Sequence, residues 1–379
     1  MEFSYSPEQE RIREAVAKLC ERFPDDYWLK RDSEGGFPAD FHQAMAKDGW
    51  LGVAMPEEFG GSGLGILEAA VMMQAIAESG AGFSGASAVH MNIFGLNPVV
   101  VFGNDEQKRR MLPPLIAGQH KACFAVTEPN TGLNTRNLKV KAEKRSGKYF
   151  ISGQKVWIST AQVAEKVLLL ARAEAGLTLF YTDLDRKHVE VREIDKMGRH
   201  AVDSNQVFFD ALPVPEADRI GEEGKGFEYI LHGMNPERIL IAAELVGLGR
   251  CAVNRAAKYA KERIVFDRPI GQNQAIQHPL AANWAALEAA NLMAFKAAWL
   301  YDQGKPCGAE ANAAKYLAGE ACFDACQNAV MTLGGYGYAK EYHVERYLRE
   351  SFVGRIAPVS PHLILCFIAE KVLGLPKSY

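Results

Sequence analysis

The chain has 379 residues, 48% of them apolar and 23% charged, with 43 basic against 46 acidic side chains and a formal charge of −3. That composition buries a large core in two or three units and excludes a disordered or fibrous chain. The slight acidic excess offers no field that would recruit nucleic acid or an anionic membrane, although a local basic pocket for one phosphorylated ligand stays compatible with it.

Taken in order, Ser6-Pro7-Glu8-Gln9 is a capping box with proline at the first helical position, and Ile12, Val16, Leu19 and Phe23 recur along one face behind it. Further helices are predicted over 39–48, 66–79, 86–102 and 105–117. From Lys121 to Val214 the period changes to that of short strands: 122–127, 138–144, 149–152, 155–159, 167–172, 177–183, 189–194 and 206–209. Strands so closely spaced, with no helices between them, predict an antiparallel barrel or sandwich. After the glycine-rich turn at 221–226 the helical period returns over 227–261, 272–303, 309–332, 341–353 and 360–373. The expected class is α+β: an N-terminal helical domain (1–119), a central antiparallel β-barrel (120–226) and a C-terminal helical bundle (227–379), packed as one body.

The seven cysteines are scattered and lack paired spacing, so they read as reduced core thiols, with no metal and no disulfide framework expected. The start, Met1-Glu2-Phe3, has no signal-peptide pattern, the end is not Ser-Lys-Leu, and the apolar stretch 281–301 is broken by Glu288 and Lys296; the expected location is the cytoplasm, with no membrane span. No G-x-G-x-x-G, G-x-S-x-G or H-E-x-x-H occurs, which removes support for Rossmann, hydrolase and zinc-protease chemistry. His90 and His343 read as packing or surface residues.

Four segments identify a family. Residues 123–132 (Cys-Phe-Ala-Val-Thr-Glu-Pro-Asn-Thr-Gly), 153–159 (Gly-Gln-Lys-Val-Trp-Ile-Ser), 261–270 followed by Gln274, and 333–338 (Leu-Gly-Gly-Tyr-Gly-Tyr) followed by Glu341, Arg346 and Arg349 resemble, in order, the signatures of the acyl-CoA dehydrogenases. The resemblance implies FAD, a homotetramer built as a dimer of dimers, and α,β-dehydrogenation of an acyl-CoA thioester to the trans-2-enoyl-CoA, with electrons passed to an electron-transferring flavoprotein. It also implies that Phe124, Val126 and Thr127 meet the flavin ring, that Trp157 packs beside it, and that the Ser159 hydroxyl lies near flavin N5. Arg263, Phe266, Gln274, Gly334 and Gly335 are implied at the cofactor across a subunit boundary, Arg263 at its pyrophosphate, with Ser360 near the cofactor as well. Arg238, Ser204 and Tyr336 are the implied substrate contacts.

The catalytic base departs from the commoner pattern. Where many members hold a glutamate in Tyr-Glu-Gly-Thr, this chain has Ile356-Ala357-Pro358-Val359-Ser360. A minority, including isovaleryl-CoA and long-chain acyl-CoA dehydrogenases, carry the base on the first helix after the barrel, just before an arginine, and Asn235-Pro236-Glu237-Arg238 matches that arrangement. Glu237 is therefore the expected base, taking the α-proton while the β-hydride passes to flavin N5. Pro236 is expected to kink the helix and an apolar pocket to raise the basicity of the glutamate; Glu244 is the reserve. Proline at 358 removes a backbone donor to the thioester carbonyl, so a one-residue shift to Ala357 or Val359 is expected. Leu133, Met331, Asp267 and Val202 depart at smaller scale. Gly82, Gly85 and Ala88 suggest room for an acyl chain. The alternatives are another flavin chemistry on the same fold (an acyl-CoA oxidase, an enoyl-CoA reductase or a flavin monooxygenase) and a catalytically silent flavoprotein scaffold.

Overall fold

The computed structural model describes residues 4–93 and 96–378. Ser6 caps α1 (Pro7–Cys20) by accepting the Gln9 N–H at 3.2 Å, while the Gln9 side chain accepts the Ser6 N–H at 3.0 Å. The stripe Ile12, Val16 and Leu19 is buried beneath it. Helices α2 (Asp25–Glu34) and α3 (Ala39–Lys47) follow. No helix is expected from sequence at α2, because six charged residues leave Trp28 almost alone to mark its buried face.

The gap between the helices predicted over 66–79 and 86–102 is present, displaced a few residues toward the N-terminus. Helix α4 (Ile66–Ile76) ends in a wide turn over Ala77–Ala81, kinked at Gly80 (φ +104°), and α5 (Gly82–Ile93) begins on Gly82 (φ +65°). The predicted helix over 86–102 is thus parts of α5 and α6 (Asn97–Phe102), with residues 94 and 95 outside the described range; α7 (Asp105–Ile116) completes this part. The start of α5 is fixed from far along the chain. The Glu350 carboxylate accepts the N–H groups of Phe83 (2.7 Å) and Ser84 (3.2 Å) and the Ser84 hydroxyl (2.6 Å), an anion at a helix N-terminus, and is itself paired with buried Arg346 at 3.1 Å. A Cβ on Gly82 would stand 2.7 Å from Glu350, and one on Gly85 3.1 Å from the Trp28 ring. These glycines are therefore there for close packing, and the expectation that they open room for a substrate is corrected.

The central part is an eight-stranded sheet: β1 (Ala122–Ala125), β2 (Lys141–Arg145), β3 (Lys148–Ser159), β4 (Lys166–Ala173), β5 (Gly176–Asp183), β6 (Val189–Glu193), β7 (Ser204–Pro215) and β8 (Arg219–Ile220). The order is β6-β7-β3-β2-β4-β5-β8, with β1 beside β4. The expected antiparallel barrel needs correction in two respects: β1 and β2 both run parallel to β4, and the hydrogen-bonded path does not close on itself. The two predicted strands 149–152 and 155–159 are one strand, β3, interrupted by irregular register at Gly153 (φ +137°) and again between Lys155 and Ile158, where Trp157 takes φ +61°. A bulge of this kind re-aims a side chain, and Trp157 is left 60% exposed.

Helix α8 (Gly226–Glu262) then runs for 37 residues without a break at Pro236, so the expected kink does not interrupt it. A two-stranded hairpin, β9 (Ile264–Val265) and β10 (Arg268–Pro269), leads to α9 (Gln274–Asp302), α10 (Gly308–Leu333), α11 (Val344–Ile356) and α12 (Pro361–Lys371). One apolar core joins the first and last thirds of the chain: residues of α1, α4 and α5 pack with residues of α8, α9, α10 and α11. The sheet holds a second core, and a third seats α7 and the start of α8 on its outer surface. Burial of this shared apolar surface fixes α5 against α8, the contact on which the site below depends.

Candidate active site

The segment after β1 is anchored by a buried charge pair. Lys155 of β3 donates its Nζ protons to the Val126 carbonyl (2.8 Å) and to the Glu128 carboxylate (3.0 Å), which also accepts the N–H groups of Lys139 (2.6 Å) and Val140 (2.9 Å). Burial lowers the Lys155 pKa to about 8 against the opposing pull of Glu128. Thr127 lies within this frame, its carbonyl accepting the Val156 N–H at 3.0 Å. The structure thereby brings Thr127 and Val126 alongside the strand end that carries Trp157 and Ser159, with Phe124 half-buried two residues before Val126.

From Ser159 a chain of contacts leads to the helices. The Arg199 guanidinium, in the loop between β6 and β7, donates to the hydroxyls of Ser159 (2.9 Å), Ser204 (3.3 Å) and Ser87 of α5 (3.4 Å). Arg199 has φ +59°, a conformation a non-glycine residue holds only when its surroundings over-determine it. Burial lowers its pKa, offset chiefly by Glu244. One turn beyond Ser87, His90 stands between two carboxylates of α8: its Nδ1 is 2.5 Å from Glu244, and its Nε2 is hydrogen-bonded to Glu237. His90 and Glu237 are each 6% exposed and Glu244 is fully buried. Burial disfavours the imidazolium, but the charges of Glu237 and then Glu244 outweigh it and hold the His90 pKa at about 10, while burial raises that of Glu244.

Glu237 is therefore not lodged among apolar side chains, as expected from sequence, but against a charged imidazole. Glu244, with no exposure, has no path to a substrate, which corrects its standing as a reserve base. Arg238 turns back on its own helix, donating to the Met234 carbonyl (3.1 Å) and Asn235 (3.3 Å). Near it, fully buried Lys315 of α10 donates to the Val359 carbonyl at 2.7 Å, tying the segment around Pro358 to the bundle. The Ala357 N–H donates to the Val353 carbonyl (2.8 Å), which withdraws Ala357 from the expected thioester donors and leaves Val359. The Ser360 hydroxyl caps α12 through the Leu363 N–H at 3.3 Å.

A second group forms elsewhere. Arg263, Gly334, Gly335 and Tyr336 line an open cleft of about 670 Å³, together with Tyr259 and Glu341. The Arg263 guanidinium lies 5.9 Å from the centre of the Tyr336 ring, so Tyr336 sits with Arg263 and not with Glu237 and Ser204. Side chains built on Gly334 or Gly335 would meet nothing within 4 Å, which leaves their backbone open to a large anionic ligand. Gln274 at the start of α9 and Phe266 in the β9–β10 turn are exposed, Phe266 at 92%; neither lines the cleft, although Val265 and Ile270 from the same stretch of chain do. Exposed aromatic faces, a guanidinium with no carboxylate partner among the described residues and open glycine backbone suit a flavin dinucleotide. His90, Arg199 and Lys315 are absent from the sequence-based site; the one signal available for His90 was the spacing of Glu237 and Glu244, two helical turns apart on one buried face.

Comparison with known proteins identifies the family. Residues 6–119, 123–212 and 224–358 match, respectively, the N-terminal, middle and C-terminal domains of acyl-CoA dehydrogenase. The chain is 36% identical to acyl-CoA dehydrogenase FadE12 of Mycobacterium tuberculosis over 389 residues, covering 100% of this chain and 99% of that one. Among solved structures, butyryl-CoA dehydrogenase from Megasphaera elsdenii superposes with a TM-score of 0.94 at 27% identity, over 98% of this chain and 100% of that one. The glutaryl-CoA complex of glutaryl-coenzyme A dehydrogenase gives 0.96 at 28%, over 100% and 98%. The chain belongs to the acyl-CoA dehydrogenase family and is an FAD-dependent oxidoreductase of that fold.

Proposed function

We propose that the protein removes hydrogen from Cα and Cβ of an acyl-CoA thioester, with Glu237 as the base, and hands the electrons to an electron-transferring flavoprotein. The observation that supports this most directly is the placement of Glu237: nearly buried, held by His90, and on the same contact chain as Ser159, Ser204 and Arg199. The segment 356–360 offers no carboxylate in its place. FAD supplies the hydride acceptor. Phe124, Val126, Thr127, Trp157 and Ser159 would hold its ring, while Arg263, Phe266, Gln274, Gly334 and Gly335 would hold the phosphate-bearing part in a neighbouring subunit. Glu237 takes the α-proton, and Val359 provides the backbone N–H that steadies the thioester oxygen as charge develops on it. Trp284, Leu292 and Trp299 are exposed on α9, and apolar surface of this kind supports assembly with further copies as a homotetramer.

Anaerobic titration of the purified protein with butyryl-, octanoyl-, isovaleryl- and 3-phenylpropionyl-CoA tests the reading, with bleaching of the flavin by at least one ester as the expected result. Fast reoxidation by oxygen would favour an oxidase instead. Arg263→Gln is expected to weaken FAD binding about tenfold to a hundredfold, since one charge-assisted hydrogen bond contributes about 1.5–3 kcal/mol. Flavin fluorescence during titration of the apoprotein measures it.

A further inference from the structure

His90 is more than a packing residue. It joins two acidic groups of α8 that stand two turns apart, and its Nδ1 reaches the fully buried Glu244 at 2.5 Å. Among the described residues, no lysine or arginine nitrogen lies within 4 Å of either carboxylate, and the second oxygen of Glu244 has no hydrogen-bond partner. The other charged groups facing the cluster are Arg199 from the β6–β7 loop, with Asp203 and Glu350 beyond it, Arg238 on α8 itself, and Lys315 on α10. A second buried carboxylate behind the base, bridged by an imidazole, is an arrangement that neither helix packing nor substrate binding requires.

We propose that Glu237, His90 and Glu244 form a buried proton relay, in which uptake of the substrate α-proton by Glu237 is balanced by transfer of the His90 Nδ1 proton to Glu244. This rests on the reading of Glu237 as the base. Before the step the three groups are a carboxylate, an imidazolium and a carboxylate. The substrate Cα–H bond breaks and an O–H bond forms on Glu237; the Nδ1–H bond breaks and an O–H bond forms on Glu244. Afterwards there are two carboxylic acids and a neutral imidazole that keeps its Nε2 proton. One proton has entered, and no electrons move within the relay. The cluster goes from a net charge of −1 to zero with no ion left behind. Without Glu244, protonation of Glu237 would strand an imidazolium in a buried site that already contains the Arg199 cation, a state penalised by desolvation and repulsion.

The test uses the full-length, FAD-loaded protein and whichever of the four CoA esters bleaches it fastest, following anaerobic flavin reduction from about pH 6 to about pH 9.5. Glu244→Gln is expected to slow reduction about tenfold to a hundredfold with half-saturation changed by less than about threefold. It should also add a step in the neutral range, because His90 loses one of the two carboxylates that keep it charged; the rate should rise with pH through that step as the imidazolium disappears. His90→Gln should slow the reaction similarly but show no such step. An unchanged rate in either variant, or a slower rate with the wild-type pH profile in Glu244→Gln, overturns the relay. Should Glu244→Gln fail to fold, infrared difference spectra of the wild type decide the matter: two carboxylic acid bands on reduction are expected, and a single band overturns the proposal. Glu237→Gln separates the two readings. If that variant retains activity the base is misassigned, whereas if it is inactive while Glu244→Gln and His90→Gln are normal, only the relay falls.

Discussion

Replacing Glu237 by glutamine is expected to slow flavin reduction by acyl-CoA by about 10²- to 10⁴-fold, the contribution a positioned general base commonly makes. The substitution is nearly isosteric, and the amide oxygen can still accept the hydrogen bond from His90 Nε2, so the packing between α5 and α8 should survive. What is lost is the ability to take a proton. FAD content and half-saturation by the CoA ester should therefore stay close to wild type while the reduction rate falls, the signature of an interaction made only on the way to the transition state. Stopped-flow reduction with substrate deuterated at Cα is the measurement. A rate within about tenfold of wild type would place the base elsewhere. It would not be Glu244, which has no exposed surface, and residues 356–360 contain no acid.

How much of this site could be read beforehand depended on whether its parts were local. The order of helices, strands and helices follows from hydrophobic period, and Ser6, Ile12, Val16 and Leu19 behave as their spacing dictates. Glu237 was legible because it sits in a short stretch whose neighbours, Asn235, Pro236 and Arg238, are themselves distinctive. His90 was not: its partners lie 147 and 154 residues away, and a lone histidine on an apolar helix carries no mark of what tertiary packing will place beside it. Arg199 was obscured for a similar reason, since its three serine partners come from α5, β3 and β7. The break between α4 and α5 is anticipated by the gap between the helices predicted over 66–79 and 86–102, but Gly82 and Gly85 beside it read as space, although Glu350 and Trp28 fill that space. The irregularity at Gly153 reads as a gap between two strands because a lone glycine resembles a turn residue, whereas the second irregularity at Trp157 carries no such mark.

The largest loss of stability is expected from Glu128→Leu, at roughly 3–5 kcal/mol, the usual consequence of removing one partner from a buried ion pair. The leucine strands the Lys155 ammonium, which is fully buried, and removes the acceptor of the Lys139 and Val140 N–H groups. Because Val126 and Thr127 hang on the same frame, the variant should also release FAD at a lower temperature, measurable as flavin fluorescence in a thermal melt. Lys155 gives the deficit a sign in pH. Its folded pKa, about 8, lies below the ordinary 10.5, so the unfolded chain binds more protons between those values and wild-type stability gains a contribution as pH rises across that window. Without Glu128 the folded pKa falls further, and the gain starts at a lower pH. The deficit of the variant should therefore shrink as pH is raised toward 8 and then level off, because above that point both folded chains hold a neutral amine. A deficit that grew with pH would mean that the Lys155 charge is not what Glu128 compensates. Glu128→Gln, which keeps an acceptor oxygen for the backbone donors, should fall between the wild type and the leucine variant.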